Sequence, residues 1–282
     1  MNAKKWIAAT LAVTLAAGLF AGCGSKDNST GSAADSGASD SDKVITIGAS
    51  VTPHADVLNH LTDEFAAEGY ELKVVEFTDY VQPNKALEAG DLDANYFQHQ
   101  PYLDNFNEEN GSNIVSVGAN LYIPMAIFSK KLNNLDNIPD GATVAVPNDT
   151  TNEARALLLL QENGFIKLKD GVDIKATVMD VEDNPHNLKF VEMDAAQIPR
   201  AVEDTDLAIV NGNFALDAGL NLNDALLVES ADSLTAQTYA NVIAVRGGEE
   251  NTEKTKTIVK ILTSEDTKQY IKDSFNGAVL PV

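Results

Sequence analysis

The sequence predicts an α/β body of two lobes, each lobe a mostly parallel sheet flanked by helices, with a ligand cleft between the lobes. Strand-like and helix-like segments alternate over residues 44–97, and this β-α-β-α-β order is typical of a parallel sheet. A second strand–turn–helix unit begins at Thr143, so the chain carries two such halves. Because no glycine-rich nucleotide-binding motif is present, the two halves favour a binding cleft between lobes.

The N-terminal segment precedes this body and predicts export. Lys4 and Lys5 stand before an apolar run over residues 6–20, and small residues end it directly before Cys23. The run is too short to span a bilayer, so residues 1–22 resemble a bacterial lipoprotein signal peptide. Cys23 is the only cysteine and cannot form an intramolecular disulfide, so we expect it to be lipidated after cleavage; secretion with a free thiol is the alternative.

The next residues predict a tether, and the charge of the chain excludes some partners. Residues 24–42 carry almost no apolar side chains, so 23–43 is expected to be the lipidated cysteine with a flexible tether and 44–282 the folded body. The lipid would hold that body at the membrane, on the extracytoplasmic face of the bacterial cell envelope. The net charge of −22 argues against nucleic acid, and an anionic ligand group would need a specific local cation.

In the first half, apolar strand segments are separated by helical patterns that stop at Gly69 and Gly90. The predicted elements are strand 44–49, helix 55–65, strand 71–77, helix 84–88 and strands 92–97, 114–117 and 122–128. In the second half they are strand 143–147, helix 153–163, strands 174–178, 188–191, 207–210 and 241–245, and helices 195–202 and 252–262. The predicted lobes are about 44–128 plus 240–282, and about 129–239.

A cluster of aromatic side chains follows the third strand. Tyr96, Phe97, His99 and Tyr102 fall within seven residues, although aromatic residues are only 6% of the chain. Pro101 excludes the middle of a helix or of a central strand. The cluster therefore predicts either a small-molecule pocket or a strand end packed into a core, and these residues alone leave both open.

Two polar positions predict where a charged ligand would bind. Thr150 and Glu153 have capping-box spacing, so a helix is expected to begin at Thr150, with Arg155 in its second turn able to pair with a carboxylate. Asn211 follows an apolar strand, where open α/β sheets place ligands, and an amide can serve both charges of a zwitterion. The same residues also have explanations without a ligand. These are an ordinary capped helix with Arg155 in a surface ion pair, and a simple Asn-Gly turn.

Metal binding and catalysis receive no support from the sequence. His54 and His60 would lie on different faces of a helix, so we expect no metal. The sequence lacks a nucleophile elbow, a phosphate loop and an HExxH pair, so an enzyme is not expected and no cofactor is implied.

Motifs along the whole body resemble the NlpA family, the methionine-binding lipoproteins of ABC importers. They are Glu76-Phe77-Thr78-Asp79-Tyr80, Gly90-Asp91-Leu92-Asp93-Ala94-Asn95, Phe97-Gln98-His99-Gln100-Pro101-Tyr102-Leu103, Val144-Ala145-Val146-Pro147-Asn148-Asp149, Arg155-Ala156-Leu157-Leu158-Leu159-Leu160, Ile166-Lys167-Leu168-Lys169-Asp170-Gly171 and Ala196-Gln197-Ile198-Pro199-Arg200. The resemblance implies a type 2 periplasmic-binding-protein-like fold whose lobes close on an amino acid and deliver it to an ABC importer permease with its ATPase. It also implies a monomer.

The same resemblance assigns roles within the site. Arg155 would bind the α-carboxylate, and Asn211 and Asn241 the α-amino and carboxylate groups. The wall around the thioether would be Tyr80, Phe97, His99 and Tyr122, with Asn152 and Tyr102 as further candidates. L-methionine, D-methionine, a methionine-containing dipeptide or another small apolar amino acid all remain open. So do a non-transport adhesion or envelope lipoprotein and an exported hydrolase with an unrecognised site.

Overall fold

A computed structural model describes residues 43–231 and 237–282, which form two lobes, each built on one main sheet. In the described residues the strands are β1 (Val44–Ser50), β2 (Glu71–Phe77), β3 (Ala94–His99), β4 (Ile114–Tyr122), β5 (Ala126–Phe128), β6 (Thr143–Pro147), β7 (Lys167–Leu168), β8 (Val181–Asp183), β9 (Lys189–Met193), β10 (Leu207–Val210), β11 (Leu227–Val228), β12 (Asn241–Arg246) and β13 (Leu280–Pro281). The predicted signal peptide, Cys23 and nearly all of the tether lie outside the described residues.

The α-helices surround these sheets. Within the described ranges they are α1 (Asp56–His60), α2 (Thr62–Ala67), α3 (Gln82–Ala89), α4 (Gln100–Asn110), α5 (Thr150–Glu162), α6 (Ile198–Ala201), α7 (Gly212–Asp217), α8 (Glu253–Leu262) and α9 (Glu265–Ser274). None of these helices is long and apolar enough to cross a membrane. Each lobe has its own apolar core, formed around β1 and β12 in one lobe and around β6 and β10 in the other.

The two sheets are parallel only in part. The first has the strand order β13-β4-β12-β3-β1-β2, in which β1 pairs in parallel with β2 and β3, while β12 and β13 run antiparallel to their neighbours. The second has the order β11-β5-β10-β6-β9, in which β6 pairs in parallel with β9 and β10. The predicted parallel pairing is thus found where strands and helices alternate along the chain. The remaining strand pairs are antiparallel.

The passage between the sheets lies earlier than expected. The sequence predicts residues 126–128 in the first lobe, as the end of strand 122–128, but β5 pairs with β10 and β11 of the second sheet. The break falls at residues 123–125, where Pro124 cannot donate a backbone hydrogen bond to a sheet. We call residues 123–125 the crossing segment. Because the chain passes to the second sheet here, we propose that the first lobe ends near Tyr122.

Two local predictions fail because side chains satisfy the backbone differently. The predicted strand 174–178 does not form, since Thr177 and Asp180 make a capping box that starts a short helical turn. The helix α5 does begin at Thr150, but Asp149 caps it by accepting from the Asn152 amide at 3.1 Å. Glu153 does not fold back toward Thr150; its carboxylate accepts from the Val178 amide at 2.8 Å.

Pro101 ends the third strand and starts the unpredicted helix α4. The proline occupies the first turn of α4, where a missing N–H removes no helical hydrogen bond. His99 caps this helix, since its Nδ1 accepts from the Tyr102 amide at 3.2 Å. The aromatic run therefore spans a strand end and a helix start.

Candidate functional site

A cavity of about 330 Å³ lies between the lobes and collects most of the predicted site residues. Its described lining is Tyr80, Phe97, Gln98, His99, Tyr102, Ile123, Asn152, Arg155, Asn211, Gly212, Asn213 and Asn241. Of the predicted ligand-binding residues, only Tyr122 is outside this lining. Its hydroxyl donates to Glu229 at 2.5 Å, so Tyr122 lies behind Arg155.

Strand ends and helix starts from both lobes position these side chains. Phe97 and His99 end β3, and Asn241 begins β12 directly opposite His99. Asn211 follows β10 and directly precedes α7 without a side-chain hydrogen bond to that helix, whereas Asn152 and Arg155 lie in the first turns of α5. The cavity therefore lies at the carboxyl ends of parallel strands, where open α/β sheets bind ligands.

Arg155 is held in a buried ion pair with Glu229. Its Nε donates to Glu229 Oε1 at 3.0 Å and its Nη2 to Oε2 at 2.5 Å, and the two side chains are 3% and 1% exposed. Nη2 also donates to the Ile123 carbonyl at 3.0 Å. A surface ion pair is therefore excluded. Nη1 makes no hydrogen bond to another described residue and remains as the free donor on the cavity side of this guanidinium.

Both members of this pair carry charge. Burial by itself would raise the pKa of Glu229, but the Arg155 guanidinium outweighs burial and holds that pKa below its usual range. Burial would likewise lower the pKa of Arg155, and Glu229 raises it above its ordinary value. The guanidinium also packs against the rings of Tyr239 and Tyr122, at 4.5 and 5.7 Å from their centroids. The site thus contains one positive and one negative charge side by side.

Asn211 presents a free acceptor. Its Nδ2 donates to Asn152 Oδ1 at 2.7 Å, and its buried Oδ1 has no hydrogen-bond partner. Asn152 is fully engaged, since its Oδ1 also accepts from His99 Nε2 at 3.2 Å and its Nδ2 donates to Asp149. Asn152 therefore orients Asn211 and His99, while Asn211 Oδ1 is available to an ammonium group.

Asn241 presents a donor, because a buried histidine holds its oxygen. His54 Nε2 donates to Asn241 Oδ1 at 2.7 Å, so Asn241 Nδ2 is the group that remains for a ligand, apart from a 3.3 Å contact with the Tyr239 carbonyl. His54 is fully buried and packs edge-on against Tyr96 at 4.6 Å. The two asparagines therefore offer opposite polarity to the cavity.

The aromatic cluster divides between core and cavity. Tyr96 is buried in the core of the first lobe, whereas Phe97, His99 and Tyr102 line the cavity. Tyr80 lies beside them, with its ring centroid 5.9 Å from that of Phe97 and 4.7 Å from that of Phe214. The cluster therefore contributes both to the core, through Tyr96, and to the cavity, through Phe97 and His99 at the end of β3 and Tyr102 in α4.

Hydrogen bonds cross the cavity from one lobe to the other. Tyr80 donates to Asn213 Oδ1 at 2.5 Å, and His99 donates to Asn152. These contacts join the loop after β2 and the end of β3 to α7 and α5. The cleft is therefore closed over the cavity in this structure.

Several residues at the site were not predicted. Gln98, Ile123, Gly212 and Asn213 line the cavity, and Glu229 and Tyr239 lie behind Arg155. Glu229 is one of 42 acidic residues and stands in no motif, so no signal marks it. In the described residues, no group of three His, Cys, Asp or Glu could hold a metal ion.

Gly212 is required by close packing rather than by a turn. Its φ is not positive, and a Cβ atom there would lie 2.6 Å from the Pro124 carbonyl oxygen and closer still to Ile123. We expect Gly212→Ala to lower the free energy of unfolding by about 1–3 kcal/mol, because the crossing segment must move. Urea unfolding measures this. Gly118→Ala is the matched control, since its nearest neighbour is 3.8 Å away; an equal effect of both would contradict the packing explanation.

The two buried histidines predict a loss of stability in acid. Burial lowers the pKa of His54 to about 4 and that of His99 to about 3, against about 6.5 in the unfolded chain. Below about pH 6.5 the unfolded chain therefore binds more protons than the folded protein. The free energy of unfolding accordingly decreases as the pH is lowered. For His54 the loss between pH 7.5 and 5 is on the order of 2 kcal/mol. Urea unfolding at both pH values should show it.

A variant pair isolates this contribution from the other titrating groups. We expect His54→Gln to reduce the difference in stability between pH 7.5 and 5, because the buried imidazole is gone. His60→Gln is the matched control, since it removes an exposed imidazole that stacks on Tyr270 and leaves His54 in place. Equal pH dependence in the two variants would contradict the assignment to His54.

The family follows from a comparison of the whole body. The sequence model of the NlpA lipoprotein family matches residues 45–282. The chain belongs to the NlpA lipoprotein family. This confirms the resemblance carried by the motifs from Glu76 to Arg200.

Individual members of the family agree with this. The D-methionine-binding lipoprotein MetQ of Escherichia coli is 44% identical over 215 residues, 75% of this chain and 78% of its own length. Outer membrane lipoprotein 2 of Mannheimia haemolytica is 37% identical over 283 residues, 99% of each chain. A solved structure of a nutrient binding protein from Burkholderia cenocepacia, bound to methionine, has a TM-score of 0.80 and 45% identity, covering 84% of this chain and 99% of that one. The two-lobed fold is thus shared with a substrate-binding protein.

Proposed function

We propose that this protein is the substrate-binding lipoprotein of an ABC importer and that its ligand is methionine. The observation that carries the proposal is the pairing of free polar groups in one closed cavity. Arg155 Nη1 and Asn241 Nδ2 are donors for a carboxylate, and Asn211 Oδ1 is an acceptor for an ammonium group. A free amino acid carries both groups.

The aromatic part of the cavity lining suits a thioether. Tyr80, Phe97 and Tyr102 present aromatic rings, and a polarisable sulfur packs favourably against such rings. The methionine-bound relative from Burkholderia cenocepacia supports the same ligand.

The remaining parts of the proposal concern the cell. We propose that Cys23 is lipidated, that the protein lies on the extracytoplasmic face of the bacterial envelope, and that it delivers methionine as a monomer to a permease with its ATPase. The lipoprotein family and the named relatives support this. The closed cleft and the absence of a catalytic motif favour capture and release over chemistry on the ligand.

Calorimetric titration tests the ligand. The full chain, purified in detergent, is unfolded in urea and refolded to remove any bound molecule, and then titrated with L-methionine, D-methionine, L-leucine and glycyl-methionine. We expect saturable one-to-one binding of a methionine stereoisomer, with leucine at least about tenfold weaker. Mass spectrometry of small molecules released before refolding gives an independent answer. Absence of binding by any amino acid would contradict the proposal, and preference for leucine or the dipeptide would reassign the ligand.

A further inference from the structure

We propose that Glu229 determines the charge class of the ligand: it orients Arg155 and cancels its charge, so that the cavity accepts molecules with no net charge. This role rests on the proposed function, since it concerns the ligand of the same cavity. Glu229 would act as a positioning residue, because it is bound to Arg155 and does not line the cavity.

The contacts of Glu229 leave it no freedom to reach a ligand. Oε1 accepts from Arg155 Nε, and Oε2 accepts from Arg155 Nη2, from the Tyr122 hydroxyl at 2.5 Å and from the Met125 amide at 3.1 Å. The residue is 3% exposed. Its carboxylate is therefore fixed from four directions.

This fixation also sets the direction in which Arg155 can bind. A guanidinium is planar and offers its donors in a rigid fork. Glu229 takes the edge formed by Nε and Nη2, and the Ile123 carbonyl takes a further Nη2 donor. The Nη1 side is the part that remains for a ligand carboxylate, and removal of Glu229 would let the fork rotate.

The buried ion pair at the cavity has no net charge. Among the described lining residues, Arg155 is the only one with a formal charge at neutral pH, because burial keeps the pKa of His99 at about 3. Glu229 supplies the compensating negative charge directly behind it. His54, behind Asn241, is neutral for the same reason as His99. Asp149 is a further carboxylate beside the lining, where it accepts from Asn152. Second to burial, it raises the pKa of Tyr80 and Tyr102, and it is unchanged in all the variants compared below.

A buried site of this kind discriminates by net charge. An ammonium-free carboxylate would leave one uncompensated negative charge in the closed cavity, and a carboxylate-free ammonium would leave one positive charge. A zwitterion carries both groups and leaves no uncompensated charge. Without Glu229, Arg155 would be an unpaired cation, and the affinity of the cavity for anions would rise relative to its affinity for zwitterions.

The test compares two ligands that differ only in the ammonium group. L-methionine and 4-(methylsulfanyl)butanoate are titrated into the full chain in detergent, for the wild type, Glu229→Gln, Glu229→Asp and the control Glu249→Gln. Glu249 forms an Arg–Glu pair with Arg246 at 2.8 Å on the surface, so this control removes the same charge elsewhere. The quantity measured is the Kd of the butanoate divided by the Kd of methionine.

We expect Glu229→Gln to lower this ratio at least about tenfold, because the unpaired Arg155 attracts the anion. Glu229→Asp keeps the charge, so both Kd values should rise while the ratio stays within about threefold, and Glu249→Gln should change neither. An unchanged ratio in Glu229→Gln would show that Glu229 is only structural.

The remaining outcomes are also decisive. Circular dichroism reports whether Glu229→Gln folds. Even if it does not fold, a tenfold fall of the ratio in Glu229→Asp would overturn the charge argument. Wild-type protein that binds no methionine contradicts the proposed function, and the role of Glu229 falls with it. Wild-type binding with no change of ratio contradicts the role of Glu229 alone.

Discussion

Arg155→Leu is expected to lower the free energy of unfolding of the ligand-free protein by about 3–5 kcal/mol and to abolish methionine binding. The substitution leaves the Glu229 carboxylate buried without its partner, and an uncompensated buried charge is costly. It also removes the only formal cation among the described residues that line the cavity. Urea unfolding measures the first effect and calorimetric titration the second.

A double variant separates stability from binding. In Arg155→Leu/Glu229→Leu both charges are gone, and apolar replacement of a buried ion pair is often neutral. We therefore expect its stability to return to within about 1 kcal/mol of the wild type, while methionine binding stays absent because no cation remains. A double variant as unstable as Arg155→Leu would contradict this explanation of the single variant.

The matched control is Arg200→Leu. Arg200 is exposed at the end of α6, so the same substitution there should change the stability by no more than about 0.5 kcal/mol. It should leave the affinity for methionine unchanged. A loss of affinity in this control would mean that the net charge of the body, rather than the buried pair, governs binding.

Asn211→Ala is expected to raise the Kd for methionine by roughly 10- to 100-fold. The side chain supplies a buried, unpaired carbonyl oxygen, and a hydrogen bond to a charged group contributes about 1.5–3 kcal/mol. The Nδ2 contact with Asn152 is lost as well, but His99 still donates to Asn152 Oδ1. Calorimetric titration of the refolded protein measures the change.

The ammonium-free analogue identifies which group of the ligand Asn211 binds. 4-(Methylsulfanyl)butanoate has nothing to donate to Asn211 Oδ1, so Asn211→Ala should affect its Kd much less than that of methionine. Asn223→Ala, at an exposed asparagine of the same lobe, should affect neither ligand. Equal losses for both ligands in Asn211→Ala would show that the residue only maintains the shape of the cavity.

Much of the fold follows from local patterns. The strands over 44–50, 71–77, 143–147 and 207–210 and the helix from Thr150 form where apolar runs, glycine stops and caps predict them, because these signals act within a few residues. The helix α4 is not predicted, because Pro101 excludes the middle of a helix but is equally compatible with its first turn. Strand direction and sheet membership, as for β5, depend on distant neighbours and could not be predicted locally.

The sequence by itself determined the family, the two α/β halves and most of the residue types around the cavity. The binding chemistry of these residues follows from the type of side chain alone, as for Arg155, Asn211, Asn241 and the aromatic run. Only the tertiary structure decided which atoms are free. Glu229 is 74 residues from Arg155 and His54 is 187 residues from Asn241. Such partners meet only when the chain folds, and a buried polar atom is available to a ligand only if no partner has taken it.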